Sequence, residues 1–115
     1  MKDDAQEYLP LSPATLHVLL ALTAGELHGY GIMLEAARQS GGQYKIGPGT
    51  LYDNLKKLLA AGMVEESRPE NSETGDRRMF RLTSLGYGVL AAEVERLGGV
   101  LRHARRSLRL AERRP

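Results

Sequence analysis

An apolar stripe in the last third of the chain constrains the fold more than any other feature of the sequence. Six of its residues follow one another at intervals of 4, 3, 4, 3 and 4: Leu90, Val94, Leu97, Leu101, Ala104 and Leu108. This spacing is typical of a heptad a/d seam, and it predicts a long helix that begins after Thr83, a suitable capping residue. So narrow a stripe buries little alone, so the helix either folds back on its own chain or pairs with a second one. We expect pairing, with these six residues in a homodimer interface.

Two glycines, Gly98 and Gly99, lie inside this stripe. Each costs about 1 kcal/mol relative to alanine in a helix. They therefore predict either a kink in the helix or the close approach of another helix.

Proline and glycine divide the preceding part of the chain into three shorter helices. Ser12 and Pro13 suit the cap and first position of a helix that ends before Gly25. A second helix is expected over about 29–40 and a third over about 47–62, with a small strand at 44–46 between them. The third helix has an apolar stripe formed by Leu51, Leu55, Leu58 and Leu59.

A β-hairpin follows the third helix. Residues 63–68 and 77–83 are strand candidates, and the polar run 69–76 between them predicts a loop. Three helices followed by a hairpin is the order of a winged helix. We therefore expect a mainly α fold with a small β-hairpin. It comprises an N-terminal tail (1–10), a winged helix-turn-helix domain (11–83) and a C-terminal dimerisation helix (84–115).

Composition limits the possible functions. The chain has 115 residues, no Cys and a formal net charge of +2. The absence of Cys excludes disulfides and thiolate metal sites. Its polar N-terminus does not resemble a secretory signal, and its longest apolar stretch, about 16–24, is too short to span a membrane. These features predict a soluble cytoplasmic protein without a membrane partner.

Catalytic patterns are missing as well. No two of the three histidines have metal-ligand spacing with a carboxylate on the same helical face. His28, which precedes Gly29, is expected to cap or pack. No nucleophile–base constellation is present, so we expect no enzyme activity, no cofactor and no metal.

The face of the third helix opposite its leucines suits DNA. The start of this helix has unpaired N–H groups that attract phosphate, and the hairpin places arginines beside it. An alternative is that Arg78, which has the same strand parity as Phe80, supports the core instead. The DNA contacts expected from this face and from the hairpin are Pro48, Gly49, Thr50, Tyr52, Asn54, Lys56, Arg77 and Arg78.

Several strings together resemble the PadR family of bacterial transcription regulators. They are His28-Gly29-Tyr30-Gly31-Ile32, Gly47-Pro48-Gly49-Thr50-Leu51-Tyr52, Leu55-Lys56-Lys57-Leu58, Gly62-Met63-Val64 and Arg77-Arg78-Met79-Phe80-Arg81-Leu82-Thr83. The resemblance implies a winged-helix dimer, usually a repressor. In such a dimer Gly49, Thr50 and Tyr52 contact operator DNA, and Tyr30 touches a phosphate or supports the recognition helix.

The sequence thus predicts a homodimeric, sequence-specific DNA-binding regulator, most simply a repressor on a palindromic operator. Its expected partners are double-stranded DNA and a second copy of itself. The resemblance adds a small-molecule effector as a candidate partner, since some members of the family bind small aromatic molecules. The absence of Trp and of any aromatic residue after Tyr87 argues against a stacking-type pocket. The alternative is a winged-helix module that binds another protein without specific DNA binding.

Overall fold

The computed structural model describes residues 5–67 and 78–113. Its elements are α1 (Pro13–Leu22), β1 (Leu27–His28), α2 (Gly29–Gln39), α3 (Pro48–Ala60), β2 (Val64–Ser67), β3 (Met79–Leu82) and α4 (Ser84–Glu112). The predicted order of three helices, a hairpin and a long helix is confirmed. The predicted loop 69–76 and Arg77 lie outside the described residues.

Helix α1 lies at the centre of the molecule and contacts α2, α3, α4 and β3. The predicted start is confirmed, because the Ser12 side chain accepts a hydrogen bond from the Thr15 N–H at 3.2 Å and Pro13 follows it. Its buried residues are Val18, Leu19, Ala21 and Leu22. A helix that is apolar on most sides has to be enclosed by other elements.

The connection from α2 to α3 is a loop, so the expected strand at 44–46 is wrong. The Ser40 hydroxyl accepts a hydrogen bond from the Tyr44 N–H at 2.9 Å, which holds the chain near the end of α2. The Tyr44 ring stacks on His17 of α1 with ring centroids 4.1 Å apart. These contacts hold the loop against α1 and the end of α2.

A three-stranded antiparallel sheet lies beside the helices, in the order β1-β3-β2. Phe80 pairs with Leu27 of β1 on one side and with Glu66 of β2 on the other. Phe80 and Leu82 are buried, as their alternation predicts. Gly62, with φ of 77°, supplies the left-handed turn that ends α3 and directs the chain into β2.

Helix α4 belongs to the core over about the first third of its length and then leaves it. The Thr83 side chain accepts a hydrogen bond from the Gly86 N–H at 3.1 Å, which confirms the predicted cap. Its buried residues all lie in the first ten positions: Gly86, Val89, Leu90 and Glu93. The helix then continues unbroken through Gly98 and Gly99, and the molecule reaches 67 Å in its longest dimension. No helix in the described ranges is long and apolar enough to span a membrane.

A buried carboxylate joins α4 to the segment before α1. Glu93 is 1% exposed. It accepts hydrogen bonds from the Leu11 N–H at 2.8 Å and from the Arg96 guanidinium at 2.5 and 3.1 Å. Arg96 and the Leu11 N–H lower the pKa of Glu93, although its burial opposes this. The expected N-terminal tail is therefore anchored at its end, and Ala5 within it is also buried.

Candidate nucleic-acid interface

The N-terminus of α3 is open. Gly47 occupies the cap position and makes no side-chain cap hydrogen bond, and Pro48 follows as the first helical residue. In contrast, α1, α2 and α4 each begin with a side-chain cap, from Ser12, His28 and Thr83 respectively. Uncapped N–H groups at a helix start, together with the helix dipole, attract anions.

The predicted reading face of α3 is exposed. Pro48, Gly49, Thr50, Tyr52 and Lys56 all lie on the surface, whereas Leu51, Leu55 and Leu58 are buried. Apart from its chain neighbours and the backbone of its own helical turn, no described atom lies within 4 Å of the place where a β-carbon of residue 49 would project. A phosphate group can therefore approach the backbone at this residue closely.

Asn54 differs from the other predicted contacts because its side chain is already engaged. Its Oδ1 accepts a hydrogen bond from the Thr15 hydroxyl at 2.7 Å, and its Nδ2 donates to the Thr50 carbonyl at 2.8 Å. Thr15 in turn accepts from the Ser12 hydroxyl at 2.9 Å. In this structure Asn54 therefore fixes the orientation of α3 against the start of α1.

Tyr52 lies between α3 and the start of α2. Its ring and hydroxyl rest against Gly29, and a β-carbon at Gly29 would overlap the hydroxyl. The adjacent His28 caps α2, with Nδ1 accepting from the Gly31 N–H at 2.9 Å, as the sequence predicts. Tyr30, in the first turn of α2, is 62% exposed. The His-Gly-Tyr string thus supports Tyr52 and leaves Tyr30 in solvent.

Arg78 of the wing lies beside the reading face of α3. Its guanidinium donates to both carboxylate oxygens of Glu66, with Nε–Oε1 at 2.8 Å and Nη2–Oε2 at 2.9 Å. It also lies over the Phe80 ring, 5.3 Å from the centroid. The hydrogen bonds to Glu66 raise the pKa of Arg78. Arg78 thus packs on the buried Phe80 ring yet stays half exposed, and its contact with DNA stays a prediction.

A groove separates the wing from α3. It has a volume of about 380 Å³ and is lined by Tyr52, Leu55, Lys56, Leu59 and Arg78. Two of the predicted contacts on α3 thus share a surface with one predicted contact on the wing. Arg77 lies outside the described residues.

Arg81, the other wing arginine in the described residues, lies on the opposite face of the hairpin. Its Nε donates to Glu65 at 2.6 Å. The hydrogen bond to Glu65 raises the pKa of Arg81, and the charge of the nearby Glu26 adds to this effect. Acidic neighbours therefore offset its charge on a face turned away from α3.

Glu66, which binds Arg78 beside this groove, is a residue that the sequence analysis missed. Strand alternation places it on the same face as Val64, and the hairpin register places it opposite Phe80. Since Arg78 shares the parity of Phe80, the same alternation predicts that Glu66 and Arg78 meet diagonally.

Comparison with known proteins identifies related sequences. Residues 18–92 match the model of the transcriptional regulator PadR-like family. "Transcriptional regulator Rv3488" of Mycobacterium tuberculosis is 34% identical over 79 residues, which cover 68% of this chain and 69% of that protein. A protein described as an uncharacterized 37.1 kDa protein in transposon TN4556 of Streptomyces fradiae is 41% identical over 80 residues. This match covers 70% of the present chain and about a fifth (21%) of that relative.

Solved structures share the fold. A PadR family transcription regulator from Clostridium difficile R20291 aligns with a TM-score of 0.71 at 19% identity, covering 84% of this chain and 99% of that one. Bacillus subtilis PadR, solved in complex with operator DNA, aligns with a TM-score of 0.65 at 25% identity. That alignment covers 74% of this chain and 48% of the Bacillus protein.

Proposed function

Because the chain belongs to the PadR-like family of transcriptional regulators, we propose that it is a homodimeric, sequence-specific DNA-binding regulator. It acts in the cytoplasm as a repressor on a palindromic operator. The observation that carries this proposal is the exposed face of α3, with an open N-terminus and Arg78 of the wing at its side. The operator complex of Bacillus subtilis PadR, a structural relative, supports DNA as the partner.

In the proposed complex α3 enters the major groove. A phosphate sits at the open helix start, close to the Gly49 backbone, while Thr50 and Tyr52 face base edges. Lys56 and Arg78 contact the DNA backbone along the groove between α3 and the wing. Asn54 contributes indirectly, because it fixes the helix that presents the other side chains.

Two further contacts belong to the proposal. Tyr30 reaches a phosphate from the start of α2, in line with its 62% exposure. Arg77 contacts the backbone or minor groove from the wing. Residues 11–83 then form the DNA-binding domain, and residues 84–115 form the dimerisation helix.

The exposed apolar residues of α4 beyond Glu93 support the proposed dimerisation. Val94, Leu97, Leu101 and Leu108 are between 36% and 64% exposed, and no other part of residues 5–67 and 78–113 covers them. Pairing with a second copy would bury this seam. A two-fold dimer would also present two α3 helices to half-sites about 34–36 Å apart, as a palindrome requires.

The test begins with selection of duplexes from a random-sequence pool by the purified protein. We expect one palindrome to be enriched, with an affinity that falls steeply as salt rises. Thr50→Ala should weaken binding to that duplex about fivefold or more without changing the dimer. Ser107→Ala, which removes an exposed hydroxyl far from α3, is the matched control and should bind as the wild type does.

Two results would count against the proposal. Equal affinity for the selected duplex and an unrelated one would favour the alternative, a winged-helix module that binds a protein through its basic helix. Unchanged affinity of the Thr50→Ala variant would remove α3 as the reading element.

A further inference from the structure

The Arg78 side chain is fixed in orientation by two neighbours. Glu66 binds the Nε and Nη2 groups with one carboxylate oxygen each, at 2.8 and 2.9 Å, in the bidentate arrangement that sets the plane of a guanidinium. The guanidinium carbon lies 5.3 Å from the centre of the Phe80 ring, a distance typical of a cation–π contact. Phe80 is fully buried and therefore offers a rigid support.

This arrangement leaves one edge of the guanidinium open. An arginine has five N–H donors in a planar fork, and the two bonds to Glu66 use only one side of it. The other edge, formed by Nη1 and the second hydrogen of Nη2, has no hydrogen-bond partner among the described residues. The side chain is 47% exposed, so this edge is accessible.

The open edge belongs to the surface proposed to bind DNA, because Arg78 lines one groove with Tyr52 and Lys56 of α3. We propose that Glu66 is a positioning residue, which orients Arg78 so that its open edge meets a pair of acceptors on DNA. Paired acceptors of this kind are two oxygens of a phosphate or the O6 and N7 atoms of guanine. The inference rests on the proposed DNA-binding function and identifies which residue prepares Arg78 for it.

Arg81 provides an internal comparison. It is bound to Glu65 through Nε at 2.6 Å, on the face of the hairpin turned away from α3. Glu65 and Glu66 are neighbours on one strand, and each pairs with a wing arginine. Replacing either by glutamine changes the net charge equally, but Glu66→Gln alone disturbs the residue beside α3.

Glu66 could instead merely neutralise Arg78, and this role predicts a different effect of its removal on DNA affinity. If Glu66 merely neutralised Arg78, its removal would strengthen binding to every duplex because a negative charge is lost. If it positions Arg78, its removal should weaken binding to the selected duplex while general attraction to DNA rises. The two roles therefore separate when a selected and an unrelated duplex are compared.

The experiment measures the affinities of the Glu66→Gln and Glu65→Gln dimers by fluorescence anisotropy at several salt concentrations. One probe is the palindromic duplex selected by the wild type, and the other is an unrelated duplex of equal length. On the unrelated duplex both variants should gain affinity similarly. On the selected duplex Glu66→Gln should bind at least about fivefold more weakly than Glu65→Gln.

A double-mutant cycle assigns the effect to Arg78. Arg78→Lys keeps the charge but lacks the planar fork. In the Arg78→Lys background, Glu66→Gln should cause no further loss relative to Glu65→Gln. If Glu66→Gln weakened binding to the selected duplex as much in the Arg78→Lys background as in the wild type, the inference would be wrong. Thermal unfolding of each variant checks that all compared proteins are folded, and Glu66→Asp is a second variant that shortens the support while retaining its charge.

The acceptor is identified by changing the DNA. If Arg78 binds guanine, replacing one particular guanine of the duplex should abolish the difference between Glu66→Gln and Glu65→Gln. If it binds a phosphate, the difference should persist in every base variant, and Arg78→Ala should lower the salt slope by about one. Both results support the positioning role.

Failure of the inference is distinguishable from failure of the proposed function. A wild-type protein without sequence preference would contradict the function. A wild-type protein that selects a palindrome, with Glu66→Gln and Glu65→Gln indistinguishable on it, would contradict only the role of Glu66.

Discussion

The two halves of α4 have the same kind of apolar pattern but opposite surroundings. From Ser84 to Glu93 the helix packs into the winged-helix core, and Glu93, a charged residue, is 1% exposed. The next residue, Val94, is 52% exposed although it is apolar. Burial therefore changes abruptly within one turn, while the sequence pattern continues.

This difference shows that the apolar pattern alone does not reveal what covers a helix. Leu90 and Leu97 are one heptad apart, yet Leu90 is 5% exposed and Leu97 is 36% exposed. The first half obtains its packing from its own chain, whereas the second half protrudes without it. The protruding half also has arginines with no ion-pair partner in residues 5–67 and 78–113: Arg102, Arg105, Arg106, Arg109 and Arg113. Such a segment is suited to association with another molecule.

The largest expected effect comes from a charge in the protruding half. Leu97→Glu should convert a dimer of twice 12.6 kDa into a monomer, because the carboxylate would be buried in the seam. DNA affinity should fall at least about tenfold, since two linked reading helices become one. Light scattering measures the mass, and anisotropy with the selected duplex measures the affinity.

Leu110→Glu is the matched control for this substitution. Leu110 is 54% exposed on the same segment, but it lies outside the heptad spacing of the seam. We expect this variant to remain dimeric. If Leu97→Glu also stays dimeric, the difference between the two halves of α4 has another explanation.

The next largest effect should come from the buried half. Leu90→Ala is expected to lower the free energy of unfolding by about 2–5 kcal/mol, through lost contacts and the cavity that remains. Leu108→Ala, at a position 64% exposed within the chain, should act mainly through dimerisation. Thermal melts over a hundredfold concentration range separate these cases, because weakened association makes the melting temperature more dependent on concentration. If the melting temperatures of both variants depended on protein concentration to the same extent, the proposed difference between Leu90 and Leu108 would be wrong.

The sequence predicted those elements that have strong local signals. Ser12, Thr83 and Gly62 mark helix ends through their own side chains or backbone freedom, and each lies where it was expected. Alternation predicted that Phe80 and Leu82 are buried. The family resemblance rested on such strings, and the family match over residues 18–92 confirms it.

Features that depend on distant partners were not predictable in this way. Strand β1 has two residues, too few to show alternation, and it exists because β3 pairs with it. The hydrogen bond between Asn54 and Thr15 joins residues 39 positions apart in the sequence, so local spacing did not predict it, and the expected contact of Asn54 with DNA stays a prediction. Glu93 resembles a surface residue until the Leu11 N–H is placed beside it. Each of these features depends on a contact between residues that are far apart in the sequence, and the spacing of neighbouring residues does not predict such a contact.

A smaller effect is expected at the boundary between the two halves. The pKa of Glu93 in the folded protein lies below its ordinary value of 4.5, because Arg96 and the Leu11 N–H stabilise the carboxylate. Its ionised form therefore stabilises the fold above about pH 4.5, and this contribution is lost as the pH falls through the folded-state pKa. Glu93→Gln should lower stability by about 1–3 kcal/mol at pH 7.

The pH dependence of that variant tests the cause. The stability difference between wild type and Glu93→Gln should narrow as the pH is lowered from 7 to 3, measured by urea unfolding. Glu95→Gln, on an exposed neighbour in the same turn, is the matched control and should leave the stability at pH 7 close to that of the wild type. If the stability difference between the wild type and Glu93→Gln did not change with pH, packing rather than charge would explain the loss of stability.

The smallest effect concerns the two glycines of the protruding half. A β-carbon at Gly98 or Gly99 would meet only the flexible end of Arg102, at 3.4 and 3.8 Å, so the chain itself tolerates alanine there. If helix propensity alone matters, Gly99→Ala should stabilise the protein by about 1 kcal/mol. We expect this gain, because Gly99 lies away from the heptad seam. Gly98 lies nearer the seam, and Gly98→Ala should raise stability less. A weakened dimer in the Gly99→Ala variant would instead show that a second helix approaches the backbone at this residue, and sedimentation equilibrium measures that directly.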